Sequence, residues 1–168
     1  MSEQTDVRRG ARVLGPGDGD TGPGLGGVRD RFMIDGAETG GRFALVQHLF
    51  SPRALAAPMH RHDAEDEYTY VLTGQIGAVL GDEEVLGGPG DLIFKPRGQW
   101  HTFWNAGDEP ASVLEIISPA GLEQLFRSFA AMTGEPDPQT LAAMAAEFRC
   151  SLDFEATMPI VERHGLTF

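Results

Sequence analysis

From residue 43 onward the chain is cut into short apolar or alternating runs, separated by Gly, Pro and acidic turn residues. Residues 43–50 alternate loosely and read as a strand. Further strands are predicted around His60 and over residues 67–73, 75–80, 84–86, 91–95, 101–105 and 111–117. The run Glu67-Tyr68-Thr69-Tyr70-Val71-Leu72 carries the β-branched and aromatic residues that suit a pleated, half-buried surface. Many short strands with Gly and Pro turns predict an all-β sandwich or barrel, not a βαβ sheet. Residues 28–34 read as a first strand, ended by the Asp35-Gly36 turn. Before them, residues 1–27 are rich in Gly, Asp and Arg without periodicity, and are expected to form an irregular arm. The glycines of that arm are no phosphate loop, because no strand precedes them and no Lys-Ser/Thr follows.

The period changes at Ser118. Ser118 has the chemistry of an N-cap, and Pro119 that of a first helical residue. Leu122, Leu125, Phe126 and Phe129 then fall on one helical stripe. Asp137-Pro138 repeats the cap-plus-proline signal, and Leu141, Met144, Ala145 and Phe148 form the next stripe. A last helix is predicted over residues 157–164, with Gly165 as its stop. The chain thus divides into an arm (1–27), a β-barrel (28–118) and a helical extension (119–168) packed on the barrel exterior. A lid over the barrel mouth is the functional alternative for those helices.

Candidate chemistry sits in two patterns on the predicted strands. The first is His60-x-His62-x4-Glu67-x6-Gly74. The second, from Gly90 to Asn105, reads G-x5-P-x-G-x2-H-x3-N and contains His101. Two histidines two positions apart share a face on a strand but not on a helix. Three imidazoles and one carboxylate are the ligand types that a divalent transition metal takes. Glu67 is the only ionisable group besides the histidines that alternation aims at them; Asp63, Glu65 and Asp66 are assigned to a solvated turn. His48 and His164 belong to neither pattern and read as ordinary.

These two patterns resemble those of the cupin superfamily, with Ala54 standing where the family's first motif opens on glycine. The resemblance spans roughly residues 42–118 and implies a small jelly-roll β-barrel. It maps the family's metal ligands onto His60, His62, Glu67 and His101, for one divalent ion among Fe, Mn, Ni, Co, Cu and Zn. It also implies a homodimer. Bacterial quercetinase-like dioxygenases look similar, and in them the counterpart of Glu67 is both ligand and proton acceptor. The leading expectation is therefore a metal-dependent dioxygenase acting on a small aromatic or enol substrate. A non-redox isomerase or cyclase and a non-catalytic small-molecule binder are the alternatives, because fold alone does not choose among them.

Alternation extends the site. Counting from Glu67 points Thr69 and Val71 inward; counting from His101 points Phe103 and Asn105 inward and Thr102 and Trp104 outward. Phe94 is placed inward as well. Thr69, Val71, Phe94 and Phe103 are the expected lining of a substrate pocket.

Composition narrows the classes of partner. A formal net charge of −12 disfavours nucleic acid and anionic membrane surfaces, which need clustered Lys and Arg. No run approaches the length of a membrane span. The one cysteine, Cys150, rules out an intramolecular disulfide and fits a reducing compartment. With a polar N-terminus that lacks an apolar signal segment, the expected location is the cytoplasm.

Overall fold

Alternating burial along the strands builds two facing antiparallel sheets in a computed structural model that describes residues 10–134 and 136–168. In chain order the first elements are β1 (Asp20–Pro23), β2 (Val28–Ile34), α1 (Gly36–Thr39), β3 (Ala44–Phe50), β4 (Met59–His62) and β5 (Asp66–Thr73). They are followed by β6 (Ile76–Leu80), β7 (Glu83–Gly87), β8 (Leu92–Lys95), β9 (His101–Asn105) and β10 (Ala111–Ser118). The C-terminal part contributes α2 (Glu123–Ala130), α3 (Pro138–Glu147), β11 (Cys150–Asp153) and α4 (Phe154–His164). One sheet runs β1-β2-β3-β10-β5-β8 and the other β11-β4-β9-β6-β7. This is the all-β barrel with a helical C-terminus that the strand spacing predicts, of the jelly-roll-like kind that the resemblance implies.

The inner faces are apolar at one end. Val71, Ile76, Ala78, Ile93, Phe103 and Val113 pack there with Phe50. At the other end α2 inserts Leu122 and Leu125 against Phe32, Ala44, Val46 and Ile117, which are inward residues of β2, β3 and β10. The first helix after the barrel therefore plugs the gap between the sheets and does not lie on the exterior. α4 takes the exterior position: Ile160 packs on Met59 and Trp104, on the outer face of β4 and β9. Trp104, expected outward, is covered by that helix. A side chain at Gly77 would collide with the Trp104 ring, since a Cβ there would lie 2.4 Å from it. Gly77→Ala is expected to destabilise by about 1–3 kcal/mol, the usual range for overpacking. A melting temperature within 1 °C of wild type would refute that contact.

Other expectations need correction. Within the arm, Asp20–Pro23 is a strand paired with β2, because β2 offers it an open edge; residues 1–9 lie outside the described residues. Ser118 caps no helix: it is the last residue of β10, and its hydroxyl donates to the Arg42 carbonyl. The helix begins at Glu123, whose buried carboxylate accepts from the Gly36 and Gly121 amides and docks α2 on α1. Asp137 does cap α3, accepting from the Thr140 amide. The last helix starts three residues before the expected position, capped by Asp153, and ends at Gly165 in the left-handed conformation. Strand β11, absent from the sequence reading, pairs with β4 along its whole length.

Candidate metal centre

Strand pairing explains why the two motifs meet. His60 lies opposite His101 across β4 and β9, while His62 follows on the same face of β4. Glu67, the second residue of β5, lies on the opposite sheet and points across the barrel. The ligand-type atoms of His60, His62, Glu67 and His101 all lie within 4.8 Å of one another, and all four residues are buried. The turn that carries the second motif is fastened on both sides. The Gly98 amide donates to the His62 carbonyl, and the Arg97 guanidinium and amide grip the Asp66 carboxylate at 2.8–3.0 Å. Those hydrogen bonds from Arg97 hold Asp66 down to about 2.

Imidazole orientation shows what the cluster wants. His60 Nδ1 donates to the Pro58 carbonyl at 2.7 Å, and His101 Nδ1 to the Gln99 carbonyl at 3.0 Å. Each neutral ring therefore turns an Nε2 lone pair toward the cluster centre. His101 Nε2 then faces Glu67 Oε2 at 3.1 Å, acceptor against acceptor. Both nitrogens of His62 are buried without a hydrogen bond, although its Nε2 is 3.3 Å from the same carboxylate oxygen. A cation at the centre would be held by the three imidazoles and the Glu67 carboxylate together. Burial, then the neighbouring imidazoles, push His60 well below its ordinary value; burial also lowers His101. Both are thus kept neutral, as metal ligation requires. His62 goes the other way: burial opposes its charge, but the Glu67 carboxylate outweighs it and raises the group to about 10.

The structure adds charges that alternation from the motifs did not reach. Lys95 is fully buried, and its Nζ lies 3.1 Å from both Glu67 Oε2 and Glu115 Oε1. It also sits 3.9 Å above the Phe103 ring centre, a cation–π contact. Glu115 accepts from the Thr69 hydroxyl at 2.8 Å. Burial opposes ionisation of Glu67, yet Lys95 and His62 hold its carboxyl well below the usual range. Burial pushes Glu115 up despite Lys95. Burial would also lower Lys95, but Glu115 and Glu67 more than compensate and keep it charged. Glu67 is therefore not the only ionisable non-histidine group at the centre. Glu65, assigned to a solvated turn, is also buried, with an Oε2 that has no hydrogen bond among the described residues.

The expected pocket residues divide. Thr69, Val71 and Phe103 are buried on the inner faces, and Asn105 is buried there with its amide donating to the Ser51 and Glu109 carbonyls. Phe94 faces out, 47% exposed, and stacks on Tyr68 at 5.0 Å. Strand parity explains the reversal: Ile93 and Lys95 take the inward positions of β8, so Phe94 pairs with outward Tyr68. His164 is no part of the centre; it stacks on Trp104 and pairs with Glu84. Among the described residues, no helix is long and apolar enough to cross a membrane.

Comparison with known proteins agrees with this architecture. Residues 47–117 match the family described as "Cupin domain". Over 93 residues the chain is 28% identical to the tetracenomycin polyketide synthase protein TcmJ of Streptomyces glaucescens, covering 55% of this chain. The match spans 62% of that relative, less than two thirds of its length. The polyketide cyclase RemF from Streptomyces resistomycificus is 29% identical with a TM-score of 0.56, over 64% of this chain and 79% of that one. An RmlC-like cupin from Shewanella frigidimarina superposes with a TM-score of 0.57 over 69% of this chain and 98% of its own, at 16% identity. That last similarity concerns the fold alone.

Proposed function

We propose that this chain, a cupin over residues 47–117, is a metal-dependent enzyme that enolises a small aromatic or polycarbonyl substrate, in a non-redox reaction of the cyclase type. One observation carries the reading. An ionised carboxylate, Glu67, is held among three buried imidazoles by a buried lysine. His60, His62, His101 and Glu67 would hold the ion, which when bound would supply Lewis-acid polarisation of a carbonyl or enol oxygen. The similarity to two polyketide-related proteins at 28–29% identity supports a substrate rich in carbonyl and phenol groups.

The chain's own groups divide the work. Glu67 Oε2 faces Lys95, His62 and His101, so Oε1, which has no hydrogen bond among the described residues, is the oxygen free to take a proton. Lys95 places a fixed positive charge where enolate character would develop, in surroundings of low polarity. Phe103, buried in the core, packs its face beneath Lys95 and holds that charge in place. The dioxygenase reading uses the same ligands and differs in consuming oxygen. The proposed assembly is a homodimer. Tyr70, Leu92, Phe94 and Ile116 form an exposed apolar stripe on the outer face of the six-stranded sheet, where a second copy would sit.

The test is a panel of phenolic 1,3-diketones offered to metal-loaded protein in an oxygen-electrode cell. Product without oxygen uptake supports the cyclase reading, and stoichiometric uptake replaces it by the dioxygenase. Tight binding without turnover removes catalysis. Within the panel, Glu67→Gln saturated with metal is expected to lose at least about 100-fold in turnover, because an amide cannot take the proton. Near-wild-type turnover would take Glu67 out of the proton transfer.

A further inference from the structure

Two of the three histidines at the metal centre are anchored and one is not. His60 and His101 each donate Nδ1–H to the carbonyl two residues earlier, at 2.7 and 3.0 Å. His62 has no such anchor: it is buried, and neither of its ring nitrogens has a hydrogen bond among the described residues. Its Nε2 faces Glu67 Oε2 at 3.3 Å, which leaves Nδ1 as the nitrogen turned away from the carboxylate. The second nitrogen of a ligating imidazole is ordinarily held by a hydrogen bond that fixes ring orientation and tautomer.

The strand beside His62 brings a sulfur to it. β11 pairs with β4 in antiparallel register, with Cys150 opposite His62 and Leu152 opposite His60. Residues paired across neighbouring strands point to the same face, so Cys150 is aimed into the barrel next to the His62 ring. Cys150 is 4% exposed and carries a free thiol. Burial opposes charge on His62, while Glu67 and, after it, the Cys150 sulfur favour it, which sets the thiol against the ring. Cys150 is not among the groups that converge at the centre, so it is a neighbour of the ligands and not one of them. Its frame is fixed at both ends. Arg149 takes a left-handed φ of 56° that turns the chain from α3 into β11, and its carbonyl accepts from the Asp63 amide at 3.2 Å. Asp153, at the other end of β11, caps α4.

We propose that Cys150 is the positioning residue of His62: its sulfur accepts from Nδ1–H when the metal is bound and so turns the Nε2 lone pair to the ion. Sulfur is a weak acceptor, but it is the polar atom that strand register puts beside this ring. The C-terminal extension, which lies outside the matched residues 47–117, thereby completes the metal centre. The proposal rests on the metal-binding part of the reading above and is independent of enolisation. A buried free cysteine otherwise packs as a small hydrophobe. The two roles predict opposite orders for two variants.

The test measures cobalt affinity of the full-length protein by titration, and the melting temperature of the metal-free protein, for Cys150→Val and Cys150→Ser. Cys150→Val keeps an apolar side chain suited to a strand and removes the acceptor. Cys150→Ser keeps an acceptor and loses apolar contact. Cys150→Val should lower cobalt affinity by about 10–100-fold, the scale for losing a partner that orients a ligand, while Cys150→Ser stays within about threefold of wild type. The metal-free melting temperatures should fall in the reverse order, with Cys150→Val the more stable. Cys150→Ala adds no bulk and should lose affinity as Cys150→Val does, which separates loss of the sulfur from crowding and decides the matter if Cys150→Val does not fold. Wild-type affinity in Cys150→Val or Cys150→Ala, or an affinity lower in Cys150→Ser than in Cys150→Val, overturns the proposal. Cobalt-loaded wild type should show no sulfur-to-cobalt charge-transfer band in the near ultraviolet; such a band, lost in Cys150→Ser, would make Cys150 a ligand and overturn the positioning role. If wild type binds no cobalt, the metal reading fails and takes this proposal with it. If the affinities follow the expected order while the diketone panel is not turned over, the enolisation reading falls alone and Cys150 keeps its role.

Discussion

His101→Ala protein is expected to emerge from purification nearly free of transition metal, with affinity lowered by more than about 100-fold. Loss of a partner that merely orients a ligand already costs about 10–100-fold, and this change removes a ligand. The expectation follows from position. His101 is locked by Gln99 on one side and aims Nε2 at the point where His60, His62 and Glu67 converge. Elemental analysis of wild type and variant, purified side by side, provides the measurement; full metal occupancy in the variant would overturn the ligand set. The same site couples to stability. Metal that binds only the folded chain stabilises it by about 2.7 kcal/mol when free metal is about 100 times its dissociation constant. For a chain of this size that corresponds to roughly 5–10 °C in melting temperature. Chelator should therefore lower the melting temperature of wild type by that amount and leave His101→Ala unmoved.

The ligand set was legible because spacing on strands is a geometric statement. A two-residue interval fixes His60 and His62 on one face, whereas the turn after them does not form the expected hairpin but carries the chain to the opposite sheet, from which Glu67 reaches them across the barrel. The pocket was legible only where parity could be counted without interruption. From Glu67 the count runs cleanly to Thr69 and Val71, and from His101 to Phe103. It fails for Phe94, because the Pro96-Gly98 turn breaks the count back from His101. Counting instead from Ile93, whose neighbours are apolar, would have turned Lys95 inward and Phe94 outward. Glu115 carried a similar signal: a single acid in the run Val113-Leu114-Glu115-Ile116-Ile117, in phase with Val113 and Ile117. His48 was in phase with Ala44, Val46 and Phe50. The rest was not local. The buried hydrogen bond between His48 and Asp30 depends on strand register, the β1 and β11 pairings on free sheet edges, and the plug formed by α2 on an opening between sheets that no single segment encodes.

Lys95→Met is expected to destabilise the metal-free protein by about 3–5 kcal/mol, because it strips a buried charge cluster of its cation. Methionine keeps most of the stem's volume and adapts to irregular space, so loss of packing contributes little. What remains is Glu67 and Glu115, both buried, each having lost a partner at 3.1 Å. The magnitude translates to a melting-temperature drop of about 6–20 °C. The pH dependence has a definite sign. Burial already raises Glu115 above its ordinary value, and removing Lys95 raises it further. A carboxyl raised in the folded state favours folding below its unfolded value and loses that contribution as pH rises through the folded one. The penalty of Lys95→Met should therefore be largest near neutral pH and shrink on acidification. Two rescues follow from the same charges. Adding Glu115→Gln removes one stranded carboxylate and should recover about half of the loss, since the neutral amide can still accept from Thr69. Divalent metal should stabilise the variant more than wild type, because a bound cation replaces the charge that Glu67 lost. Thermal melts of the single and double variants, with and without zinc, measure all of this. A Lys95→Met melting temperature within 2 °C of wild type at neutral pH would show that Lys95 carries no such charge-balancing role.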